Sequence, residues 1–265
     1  MNSERESRGG ALVTGASAGI GLELARRMAA DGWDLALTAR NEAALQAVAG
    51  EVREKRGVRA LVVPADLADP TGPSRVQEEL RRADFDVEFL VNNAGFGTWG
   101  PFADQTLESQ LSMLQVNVMA LTELTHRFLS GMRARGRGRI LNVASTAAFQ
   151  PGPDMAVYFA SKAYVLHFSE ALSHELRGTG ITVTTLCPGP TETEFQSRAG
   201  MTDSRVGANA LMMGAESVAE AGYRGAMDGK AIVVPGTANR VGSWLPRFTP
   251  RSLVRMATAF VNSPR

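Results

Sequence analysis

The sequence predicts an α/β protein, and three features carry that expectation. Short apolar runs alternate along the chain with amphipathic segments of helical period. A glycine-rich turn, Gly15-Ala-Ser-Ala-Gly19-Ile-Gly21, joins the first apolar run to the first helical segment. The 265 residues, 44% hydrophobic and 21% charged, suffice for one large core.

The bulk numbers exclude several classes. A net charge of +1 gives no reason to expect nucleic acid as a partner. The single cysteine, Cys187, excludes an intrachain disulfide, and its place at the end of an apolar strand suggests a packed, inert thiol. His126, His167 and His174 fall in helical segments without ligand spacing, so no metal site is expected. The first ten residues lack the apolar core of a signal peptide, and no apolar run is long enough to span a bilayer. The expected location is the cytoplasm.

Residues 11–14 read as a buried strand, followed by the glycine turn and a helix carrying Ile20, Leu24 and Met28. Strand, glycine turn and helix in this order suit phosphate, because the backbone can approach an anion and the first helical N–H groups are free to bind it. The spacing is G-x-x-x-G-x-G, and tight packing of helix on strand is the competing explanation. Residues 34–40 read as the second strand, with Ala39 and then Arg40 at its end. A carboxylate at this point favours the ribose hydroxyls of NAD, whereas an Arg suits a 2′-phosphate, so NADP(H) is preferred. A helix over 42–55 and a strand over 61–63 follow. Asp66 and Leu67 come just past that strand, where Asp66 either reaches an adenine or caps the next helix. The fourth strand, 87–91, runs into Asn92-Asn93-Ala94-Gly95, which fits a cofactor crevice or a plain loop.

One long helical pattern covers 107–132, with Leu111, Leu114, Val118 and Leu121 at three- and four-residue steps and Asn117 interrupting the stripe. A buried Asn needs partners: it fixes a kink or holds water near Lys162. The four arginines of residues 133–139 read as a solvated turn, because no aromatic residues interleave them. A strand over 140–145 ends on Ser145. Tyr158 and Lys162 then sit four apart in Tyr-Phe-Ala-Ser-Lys and share a face if helical. A free phenol, with a pKa of about 10, is a poor acid–base group at neutral pH, and a nearby ammonium should lower that value. Ser145 is placed to hold a substrate oxygen while Tyr158 moves a proton. On spacing alone, such a pair also describes an ordinary half-exposed helix face.

The helix runs on to Leu176 and a strand covers 181–186, broken by Cys187-Pro-Gly-Pro190. Thr191 and Thr193 follow, placed to bond a cofactor amide. Residues 194–214 read as a flap bearing Met201, Met212 and Met213, suited to an apolar substrate. A helix over 215–228 and a strand over 231–234 come next. The tail, 244–265, reads as a short basic amphipathic helix with Arg247, Arg251 and Arg255. It is expected to dock on another subunit rather than on anionic lipid.

Together, Thr14-Gly15-Ala-Ser-Ala-Gly19-Ile20-Gly21, Asn92-Asn93-Ala94-Gly95, Asn117, Ser145, Tyr158-Phe-Ala-Ser-Lys162 and Pro188-Gly189 resemble the short-chain dehydrogenase/reductase family, over roughly residues 11–236. Residues 96–102 and 147–153 resemble its bacterial general oxidoreductase branch, which is similar to ketone and 3-oxoacyl reductases. The resemblance implies a Rossmann-like, doubly wound, seven-stranded parallel sheet with helices on both faces. It implies an NADP-binding catalytic domain over 1–236, with a mobile substrate loop near 194–214, and a tail over 237–265. It also implies roles: Gly15, Ser17 and Ile20 along the phosphates and adenosine ribose; Arg40 on the 2′-phosphate; Asp66 and Leu67 at adenine; Asn93 beside the cofactor ribose; Thr193 on the nicotinamide amide. Tyr158 would be the acid–base group, Ser145 would orient the carbonyl, Lys162 would hold the nicotinamide ribose and lower the Tyr158 pKa, and Asn117 would support a relay water. Ala18 departs from the pattern, since many NADP-preferring relatives carry a basic residue there. A homodimer or homotetramer through the helices ending near Met132 and Arg177 is expected. The activity implied is reversible reduction of a ketone or aldehyde with NADPH. A 3-oxoacyl thioester reductase and, ranked lower, a non-catalytic NADP(H) sensor are the alternatives.

Overall fold

The computed structural model describes residues 7–201 and 212–263. Its first half alternates strand and helix: β1 (Gly10–Thr14), α1 (Gly19–Ala30), β2 (Asp34–Thr38), α2 (Glu42–Arg56), β3 (Ala60–Val62), α3 (Gly72–Arg82) and β4 (Val87–Asn92). Then come α4 (Leu107–Leu114), α5 (Leu121–Arg135), β5 (Gly138–Val143), α6 (Ala156–Glu175) and β6 (Ile181–Leu186). The rest holds β7 (Thr191–Glu192), α7 (Phe195–Arg198), β8 (Met213–Gly214), α8 (Ala215–Met227), β9 (Ile232–Val233), α9 (Thr237–Trp244) and α10 (Arg251–Asn262). Seven strands form one parallel sheet in the order β3-β2-β1-β4-β5-β6-β9. The order reverses between β1 and β4, which opens a crevice beyond their carboxyl ends.

Alternation within the strands builds both faces. Ala11 and Val13 of β1 and Leu35 and Leu37 of β2 pack with Leu24, Leu45 and Tyr223 of α1, α2 and α8. Leu12 and Ala36, one step out of phase, pack with Val76, Leu124 and Leu172 of α3, α5 and α6. Strands covered on both faces must be apolar at nearly every position, which is why these runs were legible. The second helix begins where Asn41 accepts the Ala44 N–H at 3.0 Å and ends on left-handed Gly57.

The structure departs from the sequence expectations at defined places. The long helix over 107–132 is interrupted by a π-helical turn, Gln115–Ala120, between α4 and α5. The turn changes the buried face: Met113, Val116, Asn117 and Ala120 point inward, while Leu111 is exposed and Leu114 and Val118 are half-buried. Ser145 does not close its strand, because β5 ends at Val143 and Ser145 caps a short 3₁₀ turn, Thr146–Phe149. A two-stranded ladder of β7 and β8 had no signal in the sequence. The tail holds two helices, α9 and α10, rather than one. Two of the four arginines of the turn are paired locally, Arg135 with Asp86 at 3.2 Å and Arg137 with Glu88 at 2.8 Å. Much of the flap expected over 194–214 lies outside the described residues.

Candidate active site

The crevice between β1 and β4 is closed by side chains acting on backbone. The Asn93 amide donates to the carbonyls of Thr14 at 2.9 Å and Gly15 at 3.3 Å. The Thr14 hydroxyl accepts the N–H groups of Asn93 and Ala94, both at 3.0 Å. This knot dictates the glycines. A Cβ at Gly15 would lie 2.8 Å from the Asn93 amide nitrogen, and one at Gly21 would lie 2.3 Å from the Gly15 carbonyl oxygen. Asn93 therefore spends its amide on the turn itself.

The same turn leaves an anion site. Helix α1 starts at Ala18 without a side-chain cap and with no acid in its first turn, so its leading N–H groups lack intrahelical partners. Ser17 and Ile20 are half-buried beside it. Thr193 closes over this start, its methyl group 3.0 Å from where a Gly19 Cβ would be. The Ala16 N–H donates to the Thr38 carbonyl at 3.3 Å, which ties the turn to the end of β2. Arg40, two residues further, is exposed. Asp66 accepts the Ala68 N–H at 2.9 Å, a local turn rather than a helix cap, and Leu67 is buried below it. An open helix start, a glycine floor and a guanidinium on one corner fit the pyrophosphate and ribose phosphate of a dinucleotide.

Beyond the crevice, α6 brings Tyr158 and Lys162 inward, 9% and 6% exposed. The Lys162 ammonium donates to the Val143 carbonyl at 2.9 Å and lies 5.8 Å from the Tyr158 ring centre. Asn117 accepts the Phe96 N–H at 3.1 Å and donates to the Phe96 carbonyl and the Ser161 hydroxyl, both at 3.0 Å. Its carbonyl oxygen and the Lys162 nitrogen converge beside Gly95, 3.1 and 3.3 Å from the point a Cβ there would take. The π turn is what aims Asn117 at this spot. Asn117→Ala leaves the Phe96 N–H and carbonyl without partners, so it should lower the unfolding free energy by about 3 kcal/mol. Urea unfolding of the two proteins measures it, and a difference below about 1 kcal/mol would contradict the count of bonds.

Electrostatics correct one expectation. Burial pushes the Tyr158 phenol up to about 12, and the Ser145 hydroxyl beside it pulls only partly the other way. Lys162 does not bring the phenol down: its own value is lowered to about 8 by the same burial. Loss of water outweighs attraction between groups this far apart, so the phenol holds its proton throughout the neutral range. The Cys187 thiol is pushed up to about 12 by burial, which makes it unreactive.

The wall around Tyr158 is apolar. Met113, Ala147, Met155, Phe159, Ala199 and Met201 pack around it, with the Phe195 ring centre 5.3 Å from that of Tyr158. Trp99 donates through its backbone N–H to the Ala199 carbonyl at 3.0 Å and through its indole to the Asn262 carbonyl at 2.7 Å. Asn262 donates in turn to the Pro153 carbonyl at 2.7 Å. Phe195 and Asn262 carried no signal at the sequence level, and Trp99 stood only within the stretch 96–102 that supported the resemblance, because each gains its role only from partners distant in the chain.

The short chain dehydrogenase family model matches residues 10–203, and the chain belongs to that family of oxidoreductases. It is 34% identical over 201 residues to the ketoacyl reductase HetN of Nostoc sp., covering 76% of this chain and 68% of the relative. It is 39% identical over 186 residues to sulfoacetaldehyde reductase 2 of Chromohalobacter salexigens, covering 69% of this chain and 73% of the relative. Among solved structures, a short-chain dehydrogenase from Sphingobium yanoikuyae in complex with NADPH superposes with a TM-score of 0.82 at 33% identity, covering 91% of this chain and 93% of the other.

Proposed function

We propose that the protein is an NADPH-dependent reductase of apolar ketones or aldehydes, with Tyr158 as the proton donor. The observation that carries this reading is the buried phenol, kept protonated beside Ser145 and lined by apolar side chains. A nicotinamide cofactor, when bound, supplies the hydride for reduction and accepts it in the reverse direction. Ser145 holds the carbonyl oxygen by hydrogen bonding, and Tyr158 gives that oxygen its proton. Lys162, which donates to the Val143 carbonyl beside the crevice, would hold the cofactor ribose. Asn117 holds the Phe96 loop and offers its carbonyl oxygen to a relay water between itself and Lys162. Gly15, Ser17 and Ile20 floor the phosphates, Asp66 and Leu67 bracket the adenine, Thr193 bonds the amide, and Asn93 shapes the ribose pocket through the turn it ties. The catalytic unit is residues 1–236. The tail closes its substrate side, a reading supported by the Trp99–Asn262 bond. Exposed Leu107 and Leu111 of α4, Met119 of the π turn and Tyr164 of α6 support a subunit contact along this pair of helical segments.

Preference for NADPH rests on Arg40, which makes no ion pair or hydrogen bond among the described residues and so is free for a phosphate. Arg40→Asp should shift the ratio of NADPH to NADH affinity by roughly 10- to 100-fold towards NADH, the worth of one charge-assisted contact. Equal ratios in a fluorescence titration would remove Arg40 from the assignment.

The second reading, a 3-oxoacyl thioester reductase, is favoured by the ketoacyl reductase named among the relatives. It requires faster turnover of an acyl thioester than of its small ketone analogue. Equal rates would leave the simple carbonyl reductase. The sensor reading ranks lowest, because Asn117, Ser145, Tyr158 and Lys162 are all present.

A further inference from the structure

The C-terminal helices present an unusual surface. Val241, Trp244, Leu245, Phe248, Leu253 and Met256 are exposed, with Phe248 at 80%, Met256 at 64% and Trp244 at 57%. Helix α10 is apolar on two sides. Val254 and Thr258 face inward, while Leu253 and Met256 lie on the opposite face. Scattered exposed apolar residues are ordinary, but six within 16 positions, running from α9 through the 3₁₀ turn Leu245–Arg247 into α10, are a local concentration.

Charge is segregated in the same place. Residues 229–265 hold six of the 28 basic residues and none of the 27 acidic ones, which leaves 22 basic against 27 acidic in the first 228. Arg240, Arg247, Arg251 and Arg255 make no ion pair among the described residues. Arg247 instead lies over the Trp244 ring, 5.5 Å from its centre. The whole-chain charge of +1 hides this division.

We infer that this face is a docking surface for a bilayer carrying anionic phospholipid headgroups. Apolar side chains enter the headgroup boundary, the arginines meet phosphates, and Trp244 sits at the level where its amphipathic ring is favoured. A second copy fits less well. A two-fold contact would set this patch against itself, arginines against arginines, with no acid in the segment to relieve them. The subunit contact expected from the tail sequence alone therefore gives way to lipid. The inference does not depend on the reductase reading.

The test uses the full-length protein and vesicles of phosphatidylcholine with or without phosphatidylglycerol. Co-sedimentation should show binding at least about tenfold tighter to the anionic vesicles, weakened by added salt. Trp33 is buried and Trp99 half-buried, so a blue shift of tryptophan emission on vesicle binding should come from Trp244. The double variant Phe248→Asp, Met256→Asp should lose vesicle binding and the shift, while keeping its thermal midpoint and NADPH affinity. Three results would overturn the inference: no binding to anionic vesicles, unchanged binding by the variant, or a wild-type oligomer that the variant splits without lipid.

Discussion

Tyr158→Phe should lose roughly a hundredfold or more in turnover of any carbonyl the protein reduces, while its affinity for NADPH stays within about twofold. The asymmetry follows from what the hydroxyl touches. Among the described residues it is hydrogen-bonded to Ser145, and the ring packs against Met155 and Phe195, so removing one oxygen leaves the wall intact. The phenol is held up at about 12, so it is a proton donor across the neutral range. Its contribution lies in the transition state, where charge builds on the carbonyl oxygen, rather than in the binding of either reactant. Steady-state kinetics and a nucleotide titration on the same preparations separate the two. A fall in both by the same factor would mean that the variant damages the pocket and not the proton step.

Lys162→Met should cost a comparable factor in turnover and, unlike the tyrosine variant, weaken the nucleotide. It also carries a pH signature. Burial lowers Lys162 to about 8, against 10.5 for an exposed lysine. Between these values the unfolded chain holds a proton that the folded chain has released. Stability of the cofactor-free protein therefore rises with pH from about 8 to about 9, by at most roughly 1.4 kcal/mol, and beyond that the raised Cys187 thiol, protonated only in the folded state, offsets the lysine. Above about pH 10 the sign reverses, because Tyr158 and Tyr223 are both raised to about 12 and the folded state then holds the extra protons. The variant should lack the rise and keep the fall. Urea unfolding at several alkaline pH values measures it, and parallel curves for the two proteins would mean that Lys162 is not desolvated.

Much of the nucleotide crevice was legible because its signals are local. A glycine turn between a strand and a helix, and an Arg just past the second strand, can be read without knowing any partner. The Tyr158–Lys162 pair was legible for the same reason, since four residues of helix put both on one face. The π turn was not. Its stripe of Leu111, Leu114, Val118 and Leu121 keeps helical steps whichever face is buried, and only packing against Phe96 and Ser161 reveals that Asn117 faces inward. The sign of the Tyr158 shift was missed because it depends on Phe195 and Met155, which lie elsewhere in the chain and strip water from the phenol. The latch from Trp99 through Asn262 to Pro153 joins segments separated by more than 100 residues, beyond any periodicity argument.

The central claim is tested most directly by following NADPH consumption against a panel of apolar ketones, aldehydes, diketones and 3-oxoacyl thioesters, with the alcohol product quantified. The account predicts that at least one apolar carbonyl drives NADPH oxidation and yields one alcohol per cofactor consumed, and that Tyr158→Phe abolishes both. Tight NADPH binding with no oxidation by any carbonyl would contradict the reductase and favour a protein that binds the nucleotide without turning it over.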